Sequence, residues 1–238
     1  RRLPYGFREN IRALQIRMER EMGKRKDKIL MVTSTLPDEG KSTVAVALAE
    51  MFASRGKKVL LIDGDLRKQK DAGILECGDG VGLQDIFKKG KGPDESVKIR
   101  KLEKQQFWFI GSSRPMEQPA GILSHPELPA LIRRLAERMD YVILDTPPCG
   151  IFQDAALMEE YADAVLYVIK YDAVPQQKII ESLSFLRGSR TRFLGYVFNS
   201  YPQGMNDYGY GRYGYGHYGY GRYGNSRYGY GRSEEQDD

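Results

Sequence analysis

The stretch "ILMVTSTLPDEGKST" at residues 29–43 has the composition of a buried strand followed by a loop and the start of a helix. The apolar and β-branched run at its beginning favours a β-strand. Gly40, Lys41 and Ser42 form the end of a phosphate-binding loop, in which backbone N–H groups and the N-terminus of the next helix attract phosphate oxygens. Lys41 is expected to reach the β- and γ-phosphates of a nucleotide, and the Ser42 hydroxyl to bind Mg²⁺.

The loop departs from the full phosphate-loop pattern at one position. That pattern has a glycine five residues before Gly40, and Thr35 stands there. An ordinary strand–loop–helix turn is the alternative interpretation. The predicted strand before the motif and the predicted helix after it, from about Lys41 to Arg55 with Gly56 as its C-cap, favour a nucleotide site instead. We expect nucleotide contacts from Glu39, Gly40, Lys41, Ser42 and Thr43.

Strands and helices alternate over the first 201 residues. The apolar runs predict strands at 29–33, 59–63, 107–111, 141–145, 164–170 and 193–199, and helices around 126–138 and 176–187. A first helix is predicted from apolar residues spaced by four and three: Phe7, Ile11, Leu14, Met18 and Met22. Near-continuous apolar strands suit a parallel sheet that is covered on both faces. The sequence therefore predicts a three-layer α/β domain with a mainly parallel sheet, and few elements in the polar segment 68–106.

Carboxylates follow two of the other predicted strands. Asp63 and Asp65 occur in "VLLIDGDLR", and Asp145 ends "YVILD". Ligands of parallel α/β sheets bind outside the carboxyl ends of the strands, and Mg²⁺ prefers oxygen ligands. A single aspartate after a strand is usually a helix cap or a turn residue. Three of them together with the phosphate loop predict a magnesium–nucleotide site.

Composition limits the remaining possibilities. Two cysteines among 238 residues are too few for a disulfide framework, so we expect a reducing compartment. No run of 18 apolar residues occurs, so nothing in this sequence is expected to span a membrane; because the first residue is Arg1, a membrane segment further upstream stays open. The net charge of +5 is modest, and we expect no nucleic-acid partner.

The composition changes near Tyr201–Pro202. Beyond it Met205 is the only aliphatic residue, and pentapeptides of the type YGYGR repeat. Glycine raises the entropy cost of ordering, and no aliphatic side chains offset that cost. We therefore predict two parts: a folded domain at 1–201 and a disordered tail at 202–238. The tail holds nine of the 16 tyrosines: Tyr208, Tyr210, Tyr213, Tyr215, Tyr218, Tyr220, Tyr223, Tyr228 and Tyr230.

With these motifs in view, the sequence resembles the catalytic domain of the bacterial tyrosine kinases (BY-kinases), P-loop NTPases that govern capsular and extracellular polysaccharide production. Their Walker A motif resembles residues 33–43, their Asp-x-Asp-x-Arg motif matches Asp63, Asp65 and Arg67, and their Walker B motif matches Val142 to Asp145. They also end in a tyrosine cluster. The resemblance covers nearly the whole chain and implies an ATP- and Mg²⁺-dependent kinase that phosphorylates its own tail tyrosines.

The resemblance also implies roles for individual residues. Asp63 is the first choice for orienting the tyrosine hydroxyl or accepting its proton, and Asp65 the second. Asp145, with Ser42 and Asp63, is expected to hold Mg²⁺. Arg67 is expected at the nucleotide. Asn199 ends the last predicted strand, where related P-loop ATPases often place an asparagine against the adenine, although a strand-terminal Asn is more often a turn residue.

Self-association is a further implication. BY-kinases carry a Glu-x-x-Arg-x-x-Arg motif on the first helix that mediates ring-like assembly, and Glu9 and Arg12 match it, with Gln15 in place of the second arginine. The alternative is a solvated helix face with a weak i,i+3 pair. The resemblance further implies a membrane adaptor or an upstream transmembrane region, a tyrosine phosphatase, and a cytoplasmic location at the inner face of the cell membrane.

Two other function classes remain open at this point. ParA/MinD-like positioning ATPases share the Walker motifs but carry a signature lysine early in the phosphate loop, where this chain has Leu36. A non-enzymatic scaffold with an adhesive, polyanion-binding tail is the second alternative. Residues 202–238 hold four arginines against five acidic residues, a net charge of −1, which argues against that scaffold.

Overall fold

The computed structural model describes residues 4–68, 70–75, 82–87, 99–112, 114–186 and 189–202. The tail tyrosines, from Tyr208 to Tyr230, lie outside the described residues, so the predicted disorder of the tail and the domain boundary at residue 201 stay predictions.

Within the described residues, seven strands form one sheet in the order β3-β4-β2-β5-β1-β6-β7. The strand bounds are β1 Ile29–Ser34, β2 Val59–Asp63, β3 Arg100–Leu102, β4 Phe107–Ile110, β5 Tyr141–Asp145, β6 Ala164–Lys170 and β7 Arg192–Asn199. Every neighbouring pair is parallel except β3 with β4. The mainly parallel sheet is thus confirmed, and all six predicted strands are present to within about a residue at each end. The short edge strand β3 lies in the polar segment where few elements were predicted, and no strand was predicted there.

Helices connect the strands, as the alternation predicts. Their bounds are α1 Tyr5–Gly23, α2 Lys41–Ala53, α3 Lys70–Leu75, α4 Ala120–Leu123, α5 Leu128–Glu137, α6 Asp154–Glu159 and α7 Gln176–Ser182, with 3₁₀ turns at Leu83–Asp85 and Leu183–Leu186. Gly56 adopts the predicted left-handed conformation after α2, with φ +79°, and donates its N–H to the Ala53 carbonyl at 2.8 Å. The predicted helix 176–187 is shorter, because the chain tightens into a 3₁₀ turn at Leu183.

The central strands β1, β2, β5 and β6 are buried on both faces, which makes three layers there, whereas β3 and β7 are partly exposed. Leu30 and Val32 of β1 face a cluster that includes Ile11, Met18 and Met22 of α1. Ile29 and Met31 point to the opposite face. There they join Leu131 and Ile132 of α5 and Met158 of α6. This is why the apolar runs are continuous rather than alternating. Among the described helices, none is long and apolar enough to cross a membrane.

Strand β5 lies between β1 and β2, and this order decides where the site forms. Val32 of β1 is in register with Asp145 of β5, and Asp145 is in register with Asp63 of β2. The carboxyl ends of these three parallel strands therefore meet at one point of the sheet edge, next to the loop that follows β1.

Asp163 fixes the opposite end of β1. Its Oδ2 accepts the backbone N–H groups of Lys28 at 2.8 Å and Ile29 at 2.9 Å, and its Oδ1 accepts Arg133 Nη1 at 2.8 Å. Burial alone would raise the pKa of Asp163, but these hydrogen bonds and the Arg133 charge outweigh burial and lower the pKa. The carboxylate therefore stabilises the strand that carries the phosphate loop.

We predict that Asp163→Ala lowers the free energy of unfolding by about 1–3 kcal/mol at pH 7, because the two N–H groups at the start of β1 lose their acceptor. Since the folded-state pKa is lowered, this stabilisation is present above about pH 4 and disappears as the pH falls through the folded-state value. Urea denaturation at several pH values measures both effects, with the exposed neighbour Glu160→Ala as the control. Equal losses for the two variants, or a loss that does not change down to pH 3, would contradict this role.

Candidate active site

Gly40 forms the turn from the phosphate loop into α2. Its φ of +96° suits glycine, and a Cβ there would lie 2.1 Å from Asn199 Nδ2. The Asn199 amide donates to the Glu39 carbonyl at 2.8 Å, and Glu39 Oε2 accepts the Thr35 N–H at 3.1 Å. Asn199 therefore braces the loop from the end of β7, and its predicted contact with the adenine stays a prediction.

Lys41 is buried beside acidic groups at the start of α2. Only 4% of the residue is exposed. Its Nζ donates to Asp65 Oδ2 at 3.1 Å and lies 3.7 Å from Asp145 Oδ2. The same Nζ lies 3.3 Å from the Ser42 hydroxyl. The structure thus brings Lys41, Ser42, Asp65 and Asp145 together, as the sequence predicts, whereas Thr43 is exposed on the first turn of α2.

Asp63 and Asp145 end neighbouring strands and are fully buried. Asp63 Oδ1 accepts the backbone N–H of Asp65 at 3.2 Å, which holds the two aspartates of the second motif in a tight turn. Asp63 Oδ2 and both oxygens of Asp145 accept no hydrogen bond. Buried carboxylate oxygens without donors are costly, so these atoms are available to a ligand that supplies positive charge or protons.

Asp71 is a fourth carboxylate that sequence reasoning missed. It lies on α3 and is fully buried, and ligand oxygens of Asp63, Asp71 and Asp145 lie within 4.8 Å of one another. Segment 68–75 carries no apolar period, so nothing in the pattern predicted that its chain would fold back onto the sheet edge. Its only signal was an aspartate six residues after Asp65, which is too common a feature to single out.

The electrostatics of the cluster follow from burial. Desolvation first, and then the neighbouring carboxylates, raise the pKa values of Asp63 and Asp71 well above the usual range. Burial also raises the pKa of Asp145, although Lys41 opposes the change. For Lys41, burial would lower the pKa, but Asp145 and Asp65 outweigh it, so the pKa is raised and the ammonium stays charged.

Arg67 points to a different partner from the one predicted. Its Nε donates to Asp154 Oδ2 at 2.7 Å and its Nη1 to the Glu117 carbonyl at 2.6 Å. The guanidinium also lies 4.4 Å from the ring centroid of Phe152. The structure thus joins Arg67 to the start of α6, to the loop before it and to the segment between β4 and α4 rather than to the aspartate cluster, and its predicted nucleotide contact stays a prediction. Nothing in the sequence pattern singled out Asp154.

The two residues that the sequence predicts for self-association, Glu9 and Arg12, lie on α1. Glu9 and Arg12 are exposed. Gln15, which stands where the motif of the resembling kinases has its second arginine, is fully buried and donates to Glu19 Oε2 at 2.7 Å. The role of Glu9 and Arg12 in self-association stays a prediction.

We predict that Asp154→Ala destabilises the fold by about 2–4 kcal/mol, because the Asp154 side chain is only 6% exposed and its loss leaves the Arg67 guanidinium without a counter-charge. Glu117→Ala is the matched control, because Glu117 contributes only its backbone carbonyl to Arg67. Urea unfolding of both variants measures the difference. If Asp154→Ala lowered the free energy of unfolding no more than Glu117→Ala, the Arg67–Asp154 pair would not contribute to the stability of the fold.

Comparison with known proteins agrees with this geometry. Residues 28–188 match the model of the AAA domain family. Tyrosine-protein kinase CpsD of Streptococcus pneumoniae serotype 4 is 32% identical over 182 residues, which cover 76% of this chain and 80% of that protein. Tyrosine-protein kinase YwqD of Bacillus subtilis is 31% identical over 203 residues, 85% of each chain.

Solved structures show the same fold. The kinase domain of the Escherichia coli tyrosine kinase ETK superposes with a TM-score of 0.76 at 24% identity, over 89% of this chain and 86% of that one. The cell division ATPase MinD of Pyrococcus furiosus gives a TM-score of 0.63 at 25% identity, over 76% and 74% of the two chains. Because the relatives that are 31–32% identical over most of the chain are both tyrosine-protein kinases, the MinD-like alternative is less supported. The chain belongs to the AAA domain family and, within it, to the bacterial tyrosine kinases, of which it is a catalytic domain.

Proposed function

We propose that this kinase uses ATP and Mg²⁺ to phosphorylate its own C-terminal tyrosines, in trans, within a ring-like homo-oligomer. One observation carries the proposal: a buried lysine at a phosphate loop lies against Asp65 and Asp145, and the oxygens of Asp145 and Oδ2 of its neighbour Asp63 accept no hydrogen bond. Such a site has a cation for phosphate and anions for a metal. The proposed acceptors are Tyr208, Tyr210, Tyr213, Tyr215, Tyr218, Tyr220, Tyr223, Tyr228 and Tyr230.

Lys41 and the loop backbone would bind the phosphates. The N-terminus of α2 offers unpaired N–H groups and positive potential there. Because Lys41 Nζ already contacts Asp65 and Asp145, its charge is held at the sheet edge before a nucleotide arrives. Phosphoryl transfer depends mainly on positioning and charge neutralisation, which these groups supply.

The residues present fit a magnesium ion. Ser42, Asp63 and Asp145 supply only oxygen ligands, and the unpartnered oxygens of Asp63 and Asp145 face the same small volume. When bound, Mg²⁺ neutralises negative charge on the β- and γ-phosphates. Asp145, fully buried at the end of β5, is the proposed ligand or holder of the metal-bound waters.

Asp63 is the proposed partner of the incoming tyrosine hydroxyl. Asp65 is engaged by Lys41 at 3.1 Å, whereas Asp63 retains a free Oδ2. Burial, together with Asp145 and Asp65, raises the pKa of Asp63, which makes its ionised form a stronger proton acceptor. Tyrosine hydroxyls have an ordinary pKa near 10, so a nearby acceptor assists transfer at neutral pH.

Transfer between chains fits the reach of the tail. With the disorder that the sequence predicts for the tail, a glycine-rich segment of about 36 residues would span roughly 30–36 Å on average, comparable to the width of a domain. Glu9 and Arg12, exposed on α1, are the proposed contacts of the ring. Each phosphate adds about −1.5 to −2 charges, so phosphorylated tails would repel one another and favour dissociation.

The cellular setting of the proposal follows from family membership. We propose that the kinase regulates the synthesis and export of capsular or extracellular polysaccharide at the cytoplasmic face of the cell membrane. A membrane adaptor or an upstream transmembrane region would activate the kinase, and a tyrosine phosphatase would remove the phosphates from the tail tyrosines. The rival function, a MinD-like positioning ATPase, predicts nucleotide hydrolysis without phosphotyrosine.

Lys41→Met is expected to reduce phosphotyrosine formation to background, because the variant loses the charge meant for the transferring phosphate. Since Lys41 is buried against Asp65, the variant is also expected to be less stable, so circular dichroism must show that it is folded. Phosphate transfer from radiolabelled ATP measures the effect. The control is Lys57→Met, which removes a partly exposed lysine paired with Glu19. A folded Lys41→Met protein with wild-type phosphorylation would refute the phosphate-loop assignment.

The same variant tests transfer between chains. Lys41→Met protein labelled with ¹⁵N is mixed with unlabelled wild-type kinase and ATP, and phosphotyrosine is sought in the heavy tail peptides. Modified heavy peptides are the expected result, because only the wild-type chains are active. Modified light peptides alone would show that transfer is confined to one chain.

A further inference from the structure

We propose that Asp71 completes, with Asp63 and Asp145, a buried site that binds a hard divalent cation such as Mg²⁺ before any nucleotide arrives. The Walker motifs give no role to Asp71, and the phosphate loop is not needed to form this site. The inference concerns the nucleotide-free kinase and does not rest on tail phosphorylation.

Each of the three carboxylates has at least one oxygen with no hydrogen-bond donor. Asp63 uses Oδ1 for the Asp65 N–H and leaves Oδ2 free. Asp145 has Lys41 Nζ 3.7 Å from its Oδ2, and neither of its oxygens accepts a hydrogen bond. Asp71 leaves both oxygens free. The cluster therefore offers five oxygens without donors: one from Asp63, two from Asp71 and two from Asp145.

The spacing of these oxygens fits one ion. One ligand oxygen from each residue lies within 4.8 Å of the other two. Two ligands on opposite sides of an ion are about 4.2 Å apart for Mg²⁺ and about 4.6–5.2 Å apart for Ca²⁺, twice their usual bond lengths. A single cation can thus touch all three carboxylates after at most a small contraction.

The net charge of the aspartate cluster also favours a bound cation. Four aspartates, namely Asp63, Asp65, Asp71 and Asp145, are buried around one lysine, Lys41. If all five are ionised, the cluster carries a net charge of −3, and a divalent cation reduces it to −1. Buried charge without compensation is strongly unfavourable, so a cation offsets a cost that the fold otherwise bears.

A purely structural role for Asp71 does not account for its surroundings. Asp71 lies in the first turn of α3, where an acidic residue commonly caps backbone N–H groups. Its carboxylate oxygens nonetheless accept no hydrogen bond from a backbone N–H, and the side chain that it meets is the Asp145 carboxyl, which is itself an acceptor when ionised. The side chain instead comes within ligand distance of the two aspartates at the strand ends.

Asp63 is proposed both to bind the metal and to contact the tyrosine hydroxyl, and it has one free oxygen for these two roles. A third metal ligand would remove this conflict. With only Asp63 and Asp145, the metal competes with the tyrosine hydroxyl for Asp63 Oδ2. Because Asp71 has two free oxygens, it can retain the cation with Asp145 while Asp63 turns to the hydroxyl. Asp71 would then be a metal ligand that determines cation affinity rather than a group that contacts the tyrosine.

The test measures cation binding by the full chain without nucleotide. After treatment with EDTA and its removal, Mn²⁺ is titrated in, and free Mn²⁺ is read by electron paramagnetic resonance. Wild-type protein should bind one Mn²⁺ per chain, and Mg²⁺ or Ca²⁺ should displace it. Asp71→Asn keeps the side-chain shape, removes the charge, and should weaken Mn²⁺ binding by at least about tenfold. Asp172→Asn, which removes an exposed carboxylate at a position with φ +50° that asparagine tolerates, should bind as wild type does.

Thermal unfolding in the same samples separates this role from a structural one. In EDTA, Asp71→Asn should be at least as stable as wild type, because the variant removes a buried carboxyl that no donor satisfies. On addition of Mg²⁺, wild type should gain clearly more stability than Asp71→Asn at the same concentration. Asp71→Ser serves as a second, smaller variant with the same expectations. Absence of Mn²⁺ binding by nucleotide-free wild type, or wild-type affinity in folded Asp71→Asn, would overturn the proposal. Neither result depends on whether the tail is phosphorylated.

Discussion

The contact of Lys41 Nζ with Asp65 and Asp145 is the interaction on which the rest of the structure depends. Both carboxylates and the ammonium are nearly inaccessible to water, so each requires the others. Removing one partner of such a buried pair typically costs about 3–5 kcal/mol. A scaffold that places these charges together must therefore be rigid, and the fully buried strands β1, β2 and β5 provide that rigidity.

The strand order brings the buried charged residues together at one edge of the sheet. Placing β5 between β1 and β2 aligns Asp63 with Asp145 and brings both next to the loop that follows Ser34, the last residue of β1. Asn199 of β7 closes the same loop from the other side through the Glu39 carbonyl. A lysine for phosphate, carboxylates for a metal and a braced loop thus come from separate segments of the chain, and only the sheet unites them.

Sequence reasoning succeeded where a residue's place follows from a regular element. Lys41, Asp63 and Asp145 sit at strand or helix ends, and apolar runs mark those ends reliably. Asp71 and Asp154 were missed because their positions depend on how polar segments fold back onto the sheet. The spacing of apolar residues along the sequence does not predict such folding. Arg67 is a third case: its motif was recognised, but its partner Asp154 begins α6, and the path of the chain between β5 and α6 decides where that helix starts.

The fold alone does not separate a tyrosine kinase from a positioning ATPase, because both superpose on this chain. The distinction lies in the acceptor, and for this chain the proposed acceptor is the segment of repeated Tyr-Gly units. Mass spectrometry of the protein after incubation with ATP and Mg²⁺ tests this account most directly. The account predicts phosphotyrosine within residues 208–230. ATP hydrolysis with no phosphotyrosine anywhere in that segment would contradict it.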